Sequence, residues 1–196
     1  MNLSDDSKDD AAQRVIVAVT GGIAAYKTAA LVSRLAQAGC AVTVLMTDAA
    51  TRFVAPLTFE TLSGRPVHTS LWHQGEAHDS QHIALARGAD LMIIAPASAN
   101  TIAKLAHGIC DNLVTTVATA LPRATPMLIA PAMNAEMWAN PITQRNVTTL
   151  DDVLGYHRIG PHPGWQACRT AGPGRMAEPD AILAQALALL GLEAPA

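Results

Sequence analysis

The stretch "GWQACRTAGPGRMAEP" at 164–179 places one cysteine, Cys168, among glycines and prolines that a helix or strand interior would not choose. A thiol in an open loop is liable to oxidation, which favours a use for it over an accident. From Gly160 to Gly174 the chain carries Pro161, Pro163, Gly164, Gly172, Pro173 and Gly174. This reads as a structureless run of roughly fifteen residues, the length of a lid or binding loop. A lid over about 160–175 would bring the thiol to a substrate and keep water out.

Three further stretches carry short polar groups at the ends of apolar runs. "TGGIAAYK" (20–27) passes through Gly21, Gly22 and Ile23, and glycine lets backbone amides approach an anion at a helix N-terminus. A tight strand-to-helix turn needs the same glycines. The stretch is not G-x-G-x-x-G, and Thr47 followed by Asp48 is an equivocal match to the acid that holds a nicotinamide ribose. "PASANT" (96–101) offers Ser98, Asn100 and Thr101, which suit either a helix cap or hydrogen bonds to a phosphate or a heteroaromatic edge. In "PAMNAEMW" (131–138), Asn134 suits an N-cap, or an amide donor that orients a substrate carboxylate without neutralising it. Met133, Met137 and Trp138 read as packing residues.

His68, His73, His78 and His82 follow one another at spacings of five, five and four, with no cysteine among them, so they do not form a zinc pattern. No metal site is expected. His82 opens "HIALARGAD", which leads into an apolar strand, and a general base at the ligand edge of the sheet is one role for it beside that of a solvated histidine.

The elements that must hold these residues are legible as alternating apolar runs and helical patterns, the mark of a parallel sheet covered on both faces. Strands are expected at 14–20, 41–47, 90–98 and 126–134, a helix at 24–39 with Leu31 and Leu35 on one face and Gly39 as its stop, and a closing helix at 178–190 with Pro179 in its first turn. In such sheets ligands bind beyond the carboxyl ends of the strands, where the three polar loops fall.

The chain has 196 residues, half of them apolar, with a formal net charge of −3. That describes one globular domain over 14–196, preceded by a polar, acidic lead at 1–13 that is expected to be disordered and is not a signal peptide. No basic field favours nucleic acid, and no apolar run reaches the roughly 18 residues of a membrane span. Three cysteines without a secretory signal fit reduced thiols and a cytoplasmic address.

Taken together and in order, "GGIAAYK", "HIALA", "PASANT", "GICDNL", "APAMNAEMW" and "AC…GPGRMAEP" resemble the flavin-dependent cysteine decarboxylases, from about residue 14 to about residue 182. "PAMNAEMW" with the cysteine segment is specific, whereas "TGGIAA" alone is weak. The resemblance implies a Rossmann-like, flavodoxin-type α/β three-layer sandwich with a parallel sheet, and bound FMN. It also implies trimers or assemblies of trimers, up to a dodecamer, with the flavin near a subunit interface. The implied reaction turns 4′-phosphopantothenoylcysteine into 4′-phosphopantetheine on the way to coenzyme A.

By the same resemblance His82 is the base, Asn134 the ligand of the substrate carboxylate, and Cys168 the acid. Gly22, Thr47, Ser98 and Thr101 fall where the family contacts FMN, with Gly21, Ile23 and Asn100 beside them. Arg175 and Met176 belong to the patterned "GRM", and with Asn134 and Met137 they make the substrate-binding set. Where the family usually has glycine after the cysteine, this chain has Arg169. Bifunctional bacterial relatives continue into a ligase domain that joins cysteine to 4′-phosphopantothenate. The present sequence has only the decarboxylase half, which says nothing of a separately encoded partner, and a separate phosphopantothenate–cysteine ligase is one partner the resemblance allows.

The chemistry explains why a cofactor is required. Loss of CO2 from an acylated cysteine leaves a carbanion with no electron sink, and the acylated amine cannot form a Schiff base. A flavin that takes hydride from the thiol-bearing carbon creates a C=S bond to receive those electrons, and the first product is an ene-thiol. A returned hydride and a proton from an acid are then needed to reach the saturated thiol. Two rivals remain open: an oxidative decarboxylase of a peptide C-terminal cysteine, which stops at the ene-thiol, and a flavin-binding regulatory subunit. A nicotinamide dehydrogenase is a weaker third.

Overall fold

The computed structural model describes residues 12–72 and 81–193. The chain begins with β1 (Arg14–Val19), α1 (Ala25–Gln37), β2 (Ala41–Met46), a short α2 (Asp48–Thr51), α3 (Pro56–Ser63) and β3 (Val67–His68). After the segment outside the described residues, which holds His73 and His78, come α4 (Gln81–Arg87), β4 (Leu91–Ala97), α5 (Ala99–Ala106), α6 (Leu113–Ala120) and β5 (Met127–Pro131). The remainder is α7 (Ala135–Ala139), α8 (Pro141–Thr148) with a π-helical turn at Thr149–Val153, β6 (His157–Arg158), β7 (His162–Trp165), β8 (Ala171–Arg175) and α9 (Pro179–Leu189).

Strands β1 to β6 form one parallel sheet in the order 3-2-1-4-5-6. The Rossmann-like three-layer sandwich expected from the sequence is therefore present. Its order refines the flavodoxin-type description, because it is the doubly wound arrangement whose direction reverses between β1 and β4. Strand residues alternate between faces, and here both faces are buried. Val15, Val17, Val19, Val42 and Val44 face α1, α3 and α9, where Leu31, Leu35, Phe59 and Ile182 complete one core. Ile16, Ala18, Leu45, Met92 and Ile94 face the other way, onto Ile102, Leu113, Val117 and Leu150. Between Ile94 and Ala97 the register with β5 shifts, so Ala95 packs in the first core and Ala97 in the second. A bulge of this kind re-aims the next residues of the strand, here toward Ser98 at the switch point.

The helices obey ordinary end rules. Gly64 closes α3 in the left-handed conformation, Pro179 occupies the first turn of α9, and Gly39 (φ 84°) turns the chain from α1 into β2. The Lys27 ammonium holds the Glu178 carboxylate at 2.8 Å, and Arg34 pairs with Asp180, so α1 and the start of α9 are tied at two points along their length. Among the described residues no helix is long and apolar enough to cross a membrane.

One expectation is corrected. The stretch at 160–175 is not structureless: β7 and β8 pair as an antiparallel ribbon, with Pro163 opposite Pro173 and Gly164 opposite Gly172. A two-stranded ribbon has two free outer edges, where proline sacrifices no ladder bond, so a composition that excludes a central strand does not exclude this one. The tip closes through Gln166 N–H to the Thr170 carbonyl and Arg169 N–H to the Gln166 carbonyl, both 2.9 Å. Arg169 sits at φ 63°, a left-handed conformation that costs a non-glycine residue about 1 kcal/mol.

Leu31, at the centre of α1, is fully buried between that helix and the sheet. Leu31→Ala is expected to destabilise the fold by about 2–5 kcal/mol. In urea unfolding this appears as a lowered midpoint at an unchanged slope.

Candidate active site

A cavity of about 1170 Å³ opens beyond the carboxyl ends of the strands, at the switch point between β1 and β4. Single small ligands occupy about 300–1,000 Å³, so this space suits a mononucleotide cofactor together with a substrate. Its wall includes the turn after β1, the segments after β2 and β3, the start of α5, the stretch that leads into α6, the turn from β5 into α7, and the ribbon tip.

The turn after β1 brings backbone rather than side chains to the wall. A β-carbon on Gly21 would lie 2.5 Å from that of Ala49, so only glycine permits this packing. The first bond of the following turn runs from Ala25 N–H to the Gly22 carbonyl, so the amides of Gly22, Ile23 and Ala24 precede the helical ladder. They sit where an anion is favoured by the helix dipole. Across the switch point, the Ser98 hydroxyl accepts from Thr101 N–H (3.3 Å) and donates to the Thr101 hydroxyl (3.1 Å). Asn100 stands beside them on the wall, and Thr47 both lines the cavity and caps α2 by accepting from Ala50 N–H at 3.2 Å. Capping and cavity lining thus coincide in Ser98 and Thr47.

Asn134 shows the same double use. Its Oδ1 accepts from Met137 N–H at 2.8 Å and caps α7, which fixes the amide's orientation, and the residue also lines the cavity. Cys168 lies at the ribbon tip and also lines the cavity. Its Sγ is 3.5 Å from Gln166 Oε1 and 3.0 Å from the Thr170 hydroxyl. Arg175, Met137 and Met176 complete the expected substrate set on the wall, Met176 mainly as a core residue with 1% exposure.

His82 is the exception. It is half-buried near the N-terminus of α4, whose first residue Gln81 contacts His68 Nδ1 at the end of β3 (2.7 Å), but it does not line this chain's cavity.

Several wall residues carried no weight in the sequence. Lys27 lies within "TGGIAAYK", and its hydrogen bond to Glu178 holds that carboxyl below the usual range, with Arg175 at 3.6 Å adding to the effect. Lys104 reaches Asp111 at 2.6 and 2.8 Å and lowers that carboxyl likewise, while Asn112 caps α6 by accepting from Thr115 N–H. Both acids belong to stretches quoted for the resemblance, but the pairing of Glu178 with Lys27, 151 residues away, comes only with the fold. Among the described residues no group of histidine, cysteine or carboxylate side chains is placed to hold a metal.

The donor set fits a phosphorylated, flat cofactor: helix-start amides and hydroxyls at the switch point for the anion, and the broad apolar walls of the cavity for a ring. The chain is 47% identical over 171 residues to a probable phosphopantothenoylcysteine decarboxylase of Streptococcus mutans, covering 87% of this chain and 95% of that one. It is 46% identical to the coenzyme A biosynthesis bifunctional protein CoaBC of Bacillus subtilis, of which it spans 41%. Among solved structures, a cysteine-to-serine variant of PPC decarboxylase complexed with pantothenoylaminoethenethiol superimposes with a TM-score of 0.82 at 34% identity, over 92% of this chain and 99% of that one. The FMN binding protein AtHal3 does so with a TM-score of 0.78 at 35% identity, over 94% and 98%. A family model described as flavoprotein matches residues 3–191, so the chain belongs to the flavoprotein family.

Proposed function

We propose that this chain is an FMN-dependent decarboxylase that converts 4′-phosphopantothenoylcysteine into 4′-phosphopantetheine. The observation that carries this reading is the convergence of the Gly21–Gly22 turn, the Asn134 amide and the Cys168 thiol on one cavity. The relatives named for this reaction support it.

Gly22, Ile23 and Ala24 would hold the cofactor phosphate through their amides, with Ser98, Asn100, Thr101 and Thr47 around it. Bound FMN supplies the hydride acceptor, and later the hydride donor, that the cysteine substrate lacks. Asn134 donates Nδ2 protons to the substrate carboxylate, which orients it while leaving its charge free to depart as CO2. Cys168 gives its proton to the carbon next to the thiol-bearing one, completing a saturated product. The ribbon at 162–175 acts as the lid that excludes water during these steps.

His82 is the base that removes the substrate thiol proton. It stands off the wall of its own chain's cavity, and Ile23, Tyr26 and Trp72 leave large apolar surface exposed around that cavity. Both features support a trimer, or an assembly of trimers, in which His82 serves a neighbouring copy. A separately encoded ligase supplies the cysteine adduct, as the bifunctional relatives suggest, and the cytoplasm is the expected address.

Three outcomes test this reading. Gly21→Val places a branched side chain against Ala49, so the purified variant is expected to keep its far-ultraviolet circular dichroism while flavin absorbance per chain falls several-fold. With 4′-phosphopantothenoylcysteine the unmodified enzyme is expected to form a product lighter by CO2 alone. Cys168→Ser is expected to release material lighter by CO2 and two hydrogens. If the unmodified enzyme also stops there, the oxidative reading replaces this one; if it forms no product, the regulatory-subunit reading does.

His82→Asn is expected to lower turnover by about 10²- to 10⁴-fold. Mixed oligomers of His82→Asn and Cys168→Ser chains regain the saturated product only if one site draws these two residues from different chains. A mixture yielding none would place both in a single copy.

A further inference from the structure

The Gln166 side chain has two acceptor positions and two donor protons, and every one of them is used. Its Oε1 accepts from Ala135 N–H at 3.1 Å and lies 3.5 Å from the Cys168 Sγ. Its Nε2 donates to the carbonyls of Gly172 (3.3 Å) and Pro173 (3.1 Å). Only 8% of the residue is exposed. Because the two carbonyls can only accept and the Ala135 amide can only donate, the orientation of the side-chain amide is fixed without ambiguity. Oε1 must face both the thiol and the residue after Asn134.

This placement matters because nothing else among these contacts joins the two chemical groups. Ala135 N–H belongs to the first residue of α7, whose cap is Asn134 itself. Cys168 hangs from the ribbon tip, where the Thr170 hydroxyl is its other neighbour at 3.0 Å. An obligate acceptor on one side of the sulfur directs the S–H toward Oε1, and the sulfur lone pairs then accept from Thr170. In this arrangement Oε1 holds the direction of the S–H bond, and an acid works through that bond.

We infer that Gln166 is a positioning residue that locks the proton-bearing form of Cys168 at a fixed offset from the Asn134 amide. The inference rests on the proposed decarboxylation, in which Cys168 supplies a proton to the ene-thiol carbon as hydride returns to the thiol-bearing carbon. Without the lock, proton delivery fails and the ene-thiol escapes. The two electrons left on the cofactor then pass to dioxygen, giving hydrogen peroxide.

The test uses FMN-loaded protein in a Cys110→Ala background, so that alkylation reports Cys168, since Cys40 is buried and its thiol is pushed up by that burial. Gln166→Met keeps the length of the side chain without its polar atoms, and Gln166→Glu puts a carboxylate beside the sulfur. Two quantities are read: the ratio of ene-thiol to saturated product in air, and the pH midpoint of Cys168 carboxamidomethylation by iodoacetamide, followed by peptide mass.

Both variants are expected to raise the product ratio at least tenfold, with substrate consumption reduced far less. Gln166→Glu is expected to move the alkylation midpoint up by about 1 pH unit or more relative to Gln166→Met, because a neighbouring negative charge disfavours the thiolate. Should Gln166→Glu fail to fold, the Gln166→Met midpoint is compared with the unmodified enzyme and is expected to fall. An unchanged product ratio together with an unchanged midpoint overturns the inference. A protein that does not decarboxylate overturns the proposed function instead, and the alkylation midpoint still decides whether Gln166 governs the thiol.

Discussion

The backbone of β8 runs directly against the turn that carries Asn134, close enough for the two main chains to hydrogen-bond. Met133 N–H donates to the Gly174 carbonyl at 2.9 Å, and a β-carbon on Gly174 would collide with the Met133 carbonyl oxygen. One on Gly172 would come within 2.7 Å of the Ala135 β-carbon. Gly174 also holds φ at 143°, outside the range of ordinary side chains. The position of the ribbon, and with it the roof of the cavity, is therefore set by contact between main chains. This is the physical answer to why a cysteine stands among so many glycines.

Charge is arranged around the cavity so that cations are pinned by partners from other elements. Lys27 at the start of α1 is held by Glu178 at the head of α9, and Arg175 at the end of β8 shares that carboxylate. Lys104 in α5 is held by Asp111. Exposed pairs of this kind contribute about 0–1 kcal/mol each, so their importance is geometric. They fix where positive charge can meet an anionic ligand in a chain whose net charge is −3.

How much of this was legible depended on whether a rule acts locally. The helix over 24–39 and the strand over 14–20 were readable because period and burial agree: Leu31 and Leu35 are fully buried, and the helix runs Ala25–Gln37. The strand expected at 126–134 ends at Pro131, because Ala132 and Met133 leave the sheet to bond with β4 and β8. The edge strands β3 and β6, two residues each, leave no period to detect. The ribbon escaped because its pairing comes from contact with a distant turn and not from propensity. Arg169 stands in the left-handed position at its tip, and the turn closes through its N–H to the Gln166 carbonyl. Ser98 and Asn134 could each be read as a cap or as a ligand, and each, like Thr47, both caps its helix and lines the cavity. Gln166 had no local signature, since its bond to the Ala135 N–H, 31 residues away, comes only with the tertiary arrangement.

At the switch point, the buried Thr20 hydroxyl donates to the Pro96 carbonyl at 2.6 Å and accepts from Ser98 N–H at 3.0 Å. The end of β1 and the start of α5 are thereby joined as one rigid body beneath the cavity. A ligand spanning these two loops has no hinge to close between them, and little ordering entropy to supply. Its binding energy should then emerge as resistance to heat, with a melting temperature that climbs with ligand concentration while the floor of the cavity keeps its shape.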